Sequence, residues 1–327
     1  MKKIIQVGVG GFGASWLDIV ISSKEWEVSG IVDINDEALN KAVSKYPFLK
    51  NNAFKSLNDC LKKVKADALL NVTPPSFHKE ISILALKEGL HILVEKPLAD
   101  TMKNAEKIVE QAEKYKRKLM VNQNYRYRKI PRNVKKLIED GSIGKISYCV
   151  VNFQKGPKFG GFREEMEFPL LIDMSIHHFD LARYLFSKDP ISVYAESWNP
   201  YWSWFKGDAS INVIFDFQDN IYFNYSGSWV SVGKDTEWSG LWEIYGDKGT
   251  IIWDNNSIKK VVGGKEEPIE FIKLEREDRA LSLYEFYISI VENKEPETSG
   301  KDNIKSLGMV FKALESIKKG KRIKFKY

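Results

Sequence analysis

The sequence predicts a two-domain α/β protein, with a doubly wound parallel sheet over residues 1–123 and an α+β domain with a large, mostly antiparallel open sheet over residues 124–327. Three observations carry this. Short apolar runs alternate with helix-period segments through the first part of the chain, a glycine-rich turn follows the first run directly, and later segments are longer, aromatic-rich and alternating.

In chain order, Lys3 to Val7, Val28 to Val32, Ala68 to Val72, His91 to Val94 and Leu119 to Val121 read as buried strands of a parallel sheet. Helical stretches lie between them, as in Thr101 to Arg117, where Ala105, Ile108, Val109 and Ala112 mark one apolar face and Asp100 or Thr101 caps the start. Right-handed crossovers then build the doubly wound layer arrangement. Beyond Tyr125 the strands are Ile146 to Phe153, Ile191 to Trp198, Ala209 to Phe217, Ile221 to Trp229, Leu241 to Tyr245 and Thr250 to Trp253. Asp219-Asn220 reads as a tight hairpin and Asp247-Lys248-Gly249 as a second turn. Helices are expected near Val134 to Asp140, Ile176 to Phe186 and Arg279 to Glu292, with a last one from Asp302 to Lys319 stopped by Gly320 and placed to pack back on the first domain.

At 327 residues, 43% hydrophobic and 29% charged, the chain has apolar material for two cores, which excludes disorder as the main state. No run of about 18 apolar residues marks a membrane span, and glycines stand where a signal peptide would need an apolar stretch. The net charge of +6 is spread along the chain except for Lys318, Lys319, Lys321, Arg322, Lys324 and Lys326. Their alternation with Ile323 and Phe325 fits the solvated face of a last helix and strand better than a nucleic-acid surface. Cys60 and Cys149, in different predicted domains, have neither a pairing partner nor a metal-ligand spacing, so a reduced, cytoplasmic location and no metal are expected.

Gly8-Val9-Gly10-Gly11-Phe12-Gly13 is a GxGxxG that opens the first helix, and Asp33 ends the second strand 20 residues after Gly13. The glycines permit a tight turn and close approach of a pyrophosphate to a helix N-terminus, while the carboxylate suits ribose hydroxyls. A 2′-phosphate carries roughly −1.5 to −2 charges. At about 5 Å from Asp33, with an effective dielectric near 20, each such charge costs about 3 kcal/mol. Ile34 and Asn35 bring no offsetting cation, so NAD is expected over NADP.

The ends of the later parallel strands carry Asn71-Val72-Thr73-Pro74-Pro75 with His78, and Val94-Glu95-Lys96-Pro97. Strand ends on this edge face the ligand crevice, which aims Lys96 at a nicotinamide; the alternative is a surface lysine before a turn proline. In the second domain, Asp173 and His177 are four apart in Asp173-Met174-Ser175-Ile176-His177-His178 and share a face of a regular helix. A carboxylate beside an imidazole makes a general base for removing a hydroxyl proton, the alternative being a helix-start Asp with a satisfied core His. His178 competes for that role, but its neighbours Phe179 and Leu181 mark it as buried. Seven of the nine tryptophans lie beyond residue 197; sheet packing and a subunit interface explain most, with Tyr201 to Trp204 kept as a candidate sugar platform.

In this order GVGGFG, Asp33, NVTPPSFH, EKP and DMSIHHFD resemble the Gfo/Idh/MocA family of glucose-fructose oxidoreductase, inositol dehydrogenase and relatives, over nearly the whole chain. The stretch from Asn122 to Tyr127, the closing helix after Ser299-Gly300, and Gly320-Lys321-Arg322 extend the resemblance. It implies a Rossmann domain followed by an α+β domain whose open sheet forms a homodimer or homotetramer interface. It also implies a sugar, inositol or polyol substrate exchanging a hydride with a nicotinamide cofactor. By resemblance Lys96 bonds the reacting oxygen, His177 exchanges its proton, and Asp173 contacts substrate and tunes the other two. Ser175 replaces the usual glycine of D-x-G-x-H. Cofactor contacts are expected from Gly8, Gly10, Gly11, Phe12, Gly13, Asp33, Ile34, Thr73, Pro74, His78, Glu95, Lys96, Asn124 and Arg126, and substrate contacts from Lys96, Tyr125, Arg163, Asp173 and His177. The resemblance leaves open a redox-neutral glycosidase that uses NAD transiently, and a non-catalytic NAD-binding regulator. Substrate specificity is expected in the loops 154–166 and 198–206.

Overall fold

The computed structural model describes residues Met1–Phe325, so Lys326 of the basic tail lies outside the described residues. The chain divides into two compact units, residues Met1–Asn124 with Arg276–Ile304, and residues Tyr125–Glu275 with Lys305 onward.

The first unit alternates β1 (Lys2–Val7), α1 (Phe12–Ser22), β2 (Trp26–Val32), α2 (Asp36–Lys45), β3 (Ala53–Phe54), α3 (Leu57–Lys63), β4 (Ala68–Asn71), α4 (Pro75–Lys87), β5 (His91–Glu95), α5 (Met102–Lys114) and β6 (Leu119–Asn122). The sheet runs β3-β2-β1-β4-β5-β6, with every pair parallel. Ile4, Ile5, Leu69, Leu70, Leu93, Val94, Met120 and Val121 are fully buried, which is why these strands read as unbroken apolar runs. Strand order reverses between β1 and β4, so the glycine turn after β1 opens at the switch point where doubly wound sheets bind ligands. The Asn35 side chain caps α2 by accepting the amides of Glu37 and Ala38, and the Thr101 hydroxyl caps α5 by accepting that of Asn104. The pair β3, unmarked in the sequence, is two residues long and adds only an edge to Ile31 and Val32 of β2.

The second unit contains α6 (Lys129–Glu139), β7 (Ile146–Gln154), the single turn α7 (Phe162–Glu165), a π-helical turn at Leu170–Met174, α8 (Ser175–Phe186), then β8 (Pro190–Trp198), β9 (Ser210–Phe217), β10 (Ile221–Ser228), β11 (Leu241–Gly246), β12 (Gly249–Asp254), β13 (Ser257–Val262), β14 (Lys265–Glu267) and β15 (Ile323–Lys324). Nine strands run β14-β13-β12-β11-β7-β10-β9-β8-β15, antiparallel except β7 against β10. Phe217 pairs with Ile221, so the β9–β10 hairpin closes through Gln218, Asp219 and Asn220, the last two at φ 60° in the left-handed conformation of a tight turn. One sheet face is an aromatic core: Phe215 stacks on Phe223 at 6.0 Å, Phe223 on Trp242 at 5.8 Å and Trp242 on Trp253 at 5.5 Å. Helix α8 covers this face, with Phe179 edge-on to Phe215 and Tyr225. Trp229, Trp242 and Trp253 are buried, while Trp198 and Trp202 are exposed.

The sequence reading ran the second domain without interruption from residue 124, whereas α9 (Asp278–Val291) and the first turn of α10 (Gly300–Lys319) group with the first unit. The physical reasons are local to that unit. Trp26 stacks on Phe286 at 5.6 Å, Arg276 pairs with Glu25 at 2.7 Å, and the Thr298 hydroxyl donates to the Val121 carbonyl at 2.6 Å. None of these long-range pairs leaves a periodic trace in the sequence. No helix among the described residues is long and apolar enough to cross a membrane.

Candidate active site

In the first unit, the turn from β1 into α1 is packed too tightly for any residue but glycine at two positions. A Cβ on Gly13 would lie 2.3 Å from the Gly8 carbonyl oxygen, and one on Gly8, at φ +87°, would lie 2.8 Å from the Val72 oxygen. Nothing lies within 4 Å of a Cβ built on Gly11, so the loop is open on that side. Asp33 reaches into the turn: its Oδ2 accepts the amides of Val9 at 2.9 Å and Gly10 at 3.2 Å, and its Oδ1 accepts that of Asn35. The Asp33 carboxylate offers acceptors for ribose hydroxyls and the amides at the start of α1 offer donors for a pyrophosphate, so these residues fit a dinucleotide. Ile34 is highly exposed beside Asp33, and the neighbouring cation Lys55 is paired with Asp36 at 2.6 Å.

Two further residues of this unit shape the turn without belonging to its motif. Gln6, buried within the apolar strand β1, donates from Nε2 to the carbonyls of Gly8 at 2.9 Å and Gly13 at 2.7 Å, lacing the turn shut from beneath. A polar residue among Ile4, Ile5 and Val7 was the available signal. Arg279, 264 residues from Ser15 in the chain, donates from Nη1 to its hydroxyl at 2.8 Å and lies 4.6 Å from the centroid of Phe12. It places a cation beside the first turn of α1, and no local pattern announces it.

Several residues expected at the cofactor have partners within their own unit. His78 is fully buried between the loops after β4 and β5, with Nδ1 2.9 Å from the Pro97 oxygen and Nε2 2.7 Å from the Thr73 oxygen, and the neutral ring donates its single N–H to one of these two carbonyls. Burial pushes its pKa down. Glu95 accepts Trp16 Nε1 at 2.6 Å, Asn122 Nδ2 at 2.8 Å and the Lys96 amide at 3.1 Å, joining α1, β5 and β6; burial raises its pKa. Thr73 donates from its hydroxyl to Asn71, Pro74 precedes α4, and Asn124 donates to Asp278 at 2.6 Å. Lys96 follows directly on β5, half-buried.

The second unit carries the acid/base candidates. Asp173 sits in the π-helical turn, so its spacing to His177 is not that of a regular helix face, which corrects the simple four-residue reading. Its Oδ2 accepts Arg163 Nε at 2.6 Å. Arg163, expected to meet substrate oxygens, is thus an ion-pair partner of Asp173, and its guanidinium lies 5.2 Å and 4.9 Å from the centroids of Phe159 and Phe162. His177 is buried against Tyr125, ring centroids 4.3 Å apart. His178 is fully buried: Tyr225 Oη lies 3.0 Å from Nδ1 and the Trp238 oxygen 2.9 Å from Nε2. Burial pushes its pKa down to about 4, so it is a core histidine.

Arg126, expected near the cofactor, is 4% exposed and forks onto Asp180, Nε to Oδ2 at 2.6 Å and Nη2 to Oδ1 at 2.7 Å. Ser306 donates to the same Oδ1 at 2.6 Å and accepts Arg183 Nη1 at 2.8 Å. Two bonds lace the candidate specificity loops together, the Lys206 amide to the Glu164 oxygen and Trp204 Nε1 to the Pro157 oxygen, while Trp202 Nε1 ties the second loop to the Val230 oxygen. Tyr201 stands almost wholly in solvent. Cys60 and Cys149 are buried free thiols whose pKa values burial raises, that of Cys60 to about 12, so neither is a poised nucleophile.

Residues 2–123 match the GFO/IDH/MocA oxidoreductase family with an NAD-binding Rossmann fold, and residues 132–252 match that family's C-terminal domain. The chain is similar to myo-inositol 2-dehydrogenase of Thermotoga maritima, with 24% identity over 98% of each chain. It is also similar to glucose-6-phosphate 3-dehydrogenase of Bacillus subtilis, with 30% identity over 59% of this chain and 56% of that one. An oxidoreductase from Agrobacterium radiobacter, solved in complex with NAD+, L-tartaric acid and magnesium, shares the fold with a TM-score of 0.89 at 20% identity, over 99% of this chain and 98% of that chain. With the family's two domains matched in order along it, this chain belongs to the Gfo/Idh/MocA family of NAD-binding oxidoreductases.

Proposed function

We propose that this protein is an NAD-dependent oxidoreductase that interconverts a secondary alcohol and a carbonyl on a sugar, inositol or related polyol. The observation that carries the reading is the turn entering α8, where Asp173 is held by Arg163 and the His177 imidazole is stacked on Tyr125, in a chain whose other unit presents Asp33 at an open glycine turn. NAD, when bound, supplies the hydride acceptor. Asp33 takes the ribose hydroxyls, the amides at the start of α1 take the pyrophosphate, and the uncompensated Asp33 charge disfavours a 2′-phosphate. Lys96 bonds the reacting oxygen, His177 exchanges its proton and Asp173 orients the substrate hydroxyl. One such acid/base group contributes about 10²- to 10⁴-fold. The relatives named for inositol and glucose 6-phosphate support a polyol substrate.

A homodimer or homotetramer forms through the open sheet of the second unit. Tyr245, Tyr148 and Tyr222 stand exposed in one register row across β11, β7 and β10, a patch suited to pairing with a second copy. The two unpaired thiols support the reducing cytoplasm. The test is absorbance at 340 nm with NAD or NADP and a panel of inositols, aldoses, sugar acids and amino sugars, with Lys96→Ala as control. A Lys96-dependent rise with NAD is expected. Turnover of a glycoside without net NADH, or NAD binding without turnover of any substrate, overturns the net-redox reading in favour of the glycosidase or the regulator respectively.

A further inference from the structure

Tyr125, expected to contact substrate, is 7% exposed and has both ring faces occupied. On one side lies the His177 imidazole, with centroids 4.3 Å apart and planes inclined by 18°. The guanidinium carbon of Arg128 lies 3.6 Å from the same centroid. Groups this close to one centroid cannot share a face without overlapping, so Arg128 covers the face opposite His177. The edge is also packed: the His178 ring stands 6.3 Å away at 64°, itself anchored by Tyr225 and the Trp238 carbonyl. No face of Tyr125 is left for a sugar.

We infer that Tyr125, backed by Arg128, is a positioning residue that fixes the plane of the His177 imidazole. The inference rests on the acid/base role proposed for His177. The χ2 torsion of histidine is a broad, shallow coordinate. Rotation about it would drive an imidazole edge into the tyrosine face, and Arg128 prevents that face from withdrawing. A general base works only while its lone pair stays aimed at the hydroxyl, and a displacement of about 1 Å costs about 10²-fold in rate. The tyrosine hydroxyl plays no part in this argument, so phenylalanine should substitute.

The test compares full-length Tyr125→Leu, Tyr125→Phe and Arg128→Gln by steady-state kinetics and by NMR of the His177 ring protons, assigned with His177→Gln. Folding of each variant is checked by circular dichroism. In the parent, ring current from Tyr125 holds the His177 protons upfield of free imidazole. Tyr125→Leu should abolish that shift and lower kcat about tenfold or more with KM little changed. Tyr125→Phe should restore both, and Arg128→Gln should weaken both even if the leucine variant fails to fold. Unshifted His177 protons in the parent, or a leucine variant that raises KM at unchanged kcat as a lost substrate platform would, overturns the inference. Should the parent oxidise no polyol, the functional proposal fails, while the ring-proton shifts alone still decide whether Tyr125 fixes the imidazole.

Discussion

Replacing Arg126 by methionine separates its two readings, as a cofactor contact or as a core brace. Asp180 is 1% exposed, and its two oxygens accept both prongs of the Arg126 fork and the Ser306 hydroxyl. Methionine fills much of the arginine stem but leaves the carboxylate without its counter-charge. Removing one partner of a buried ion pair costs about 3–5 kcal/mol, because the stranded charge has lost its solvation without a counter-charge in return. At roughly 2–4 °C per kcal/mol for a unit of this size, the melting temperature should fall by roughly 6–20 °C. Differential scanning calorimetry reads the loss, and NADH fluorescence titration at a temperature where the variant is folded reads affinity, expected unchanged. The double variant Arg126→Met with Asp180→Leu should recover most of the stability, since an apolar pair of similar volume replaces a desolvated ion pair. Unchanged melting with weakened NADH binding would falsify the brace and return Arg126 to the cofactor.

Three further outcomes follow from the same geometry. Gly13→Ala puts a methyl 2.3 Å from the Gly8 carbonyl oxygen, a backbone clash that should cost about 1–3 kcal/mol or more and abolish NADH binding; a variant that binds as the parent does would show that the turn relaxes freely. Arg279→Gln should raise the NADH dissociation constant about tenfold by removing a cation beside the first turn of α1, with a smaller effect at high salt, and an unchanged constant would place Arg279 outside the phosphate field. For His178 the folded pKa of about 4 lies below the unfolded value of about 6.5, so the unfolded chain binds the extra proton and stability falls as pH drops between these values, by up to about 3 kcal/mol. His178→Phe should flatten that part of the urea-denaturation pH profile, and an unaltered slope would assign it to other groups.

How much was legible in the sequence depended on the range of the interaction. Five of the six parallel strands, the glycine turn with Asp33, the β9–β10 hairpin and the cap at Thr101 were readable because apolar runs, positive-φ turns and side-chain caps act over a few residues. The order of the motifs, from Gly8 through Lys96 to Asp173 and His177, was also enough to recognise the family. Tertiary structure decided what the polar residues do. Arg126, Glu95 and His78 have the right types for a cofactor site, yet each finds buried partners: Asp180, Trp16 with Asn122, and the carbonyls of Thr73 and Pro97. Gln6 and Arg279 gained their places at the glycine turn the same way, one from beneath the strand and the other from the far end of the chain. Periodicity reports which face of a segment is buried, whereas desolvation makes each buried donor or acceptor take whatever partner the fold brings within about 3 Å, and that choice is written only in three dimensions.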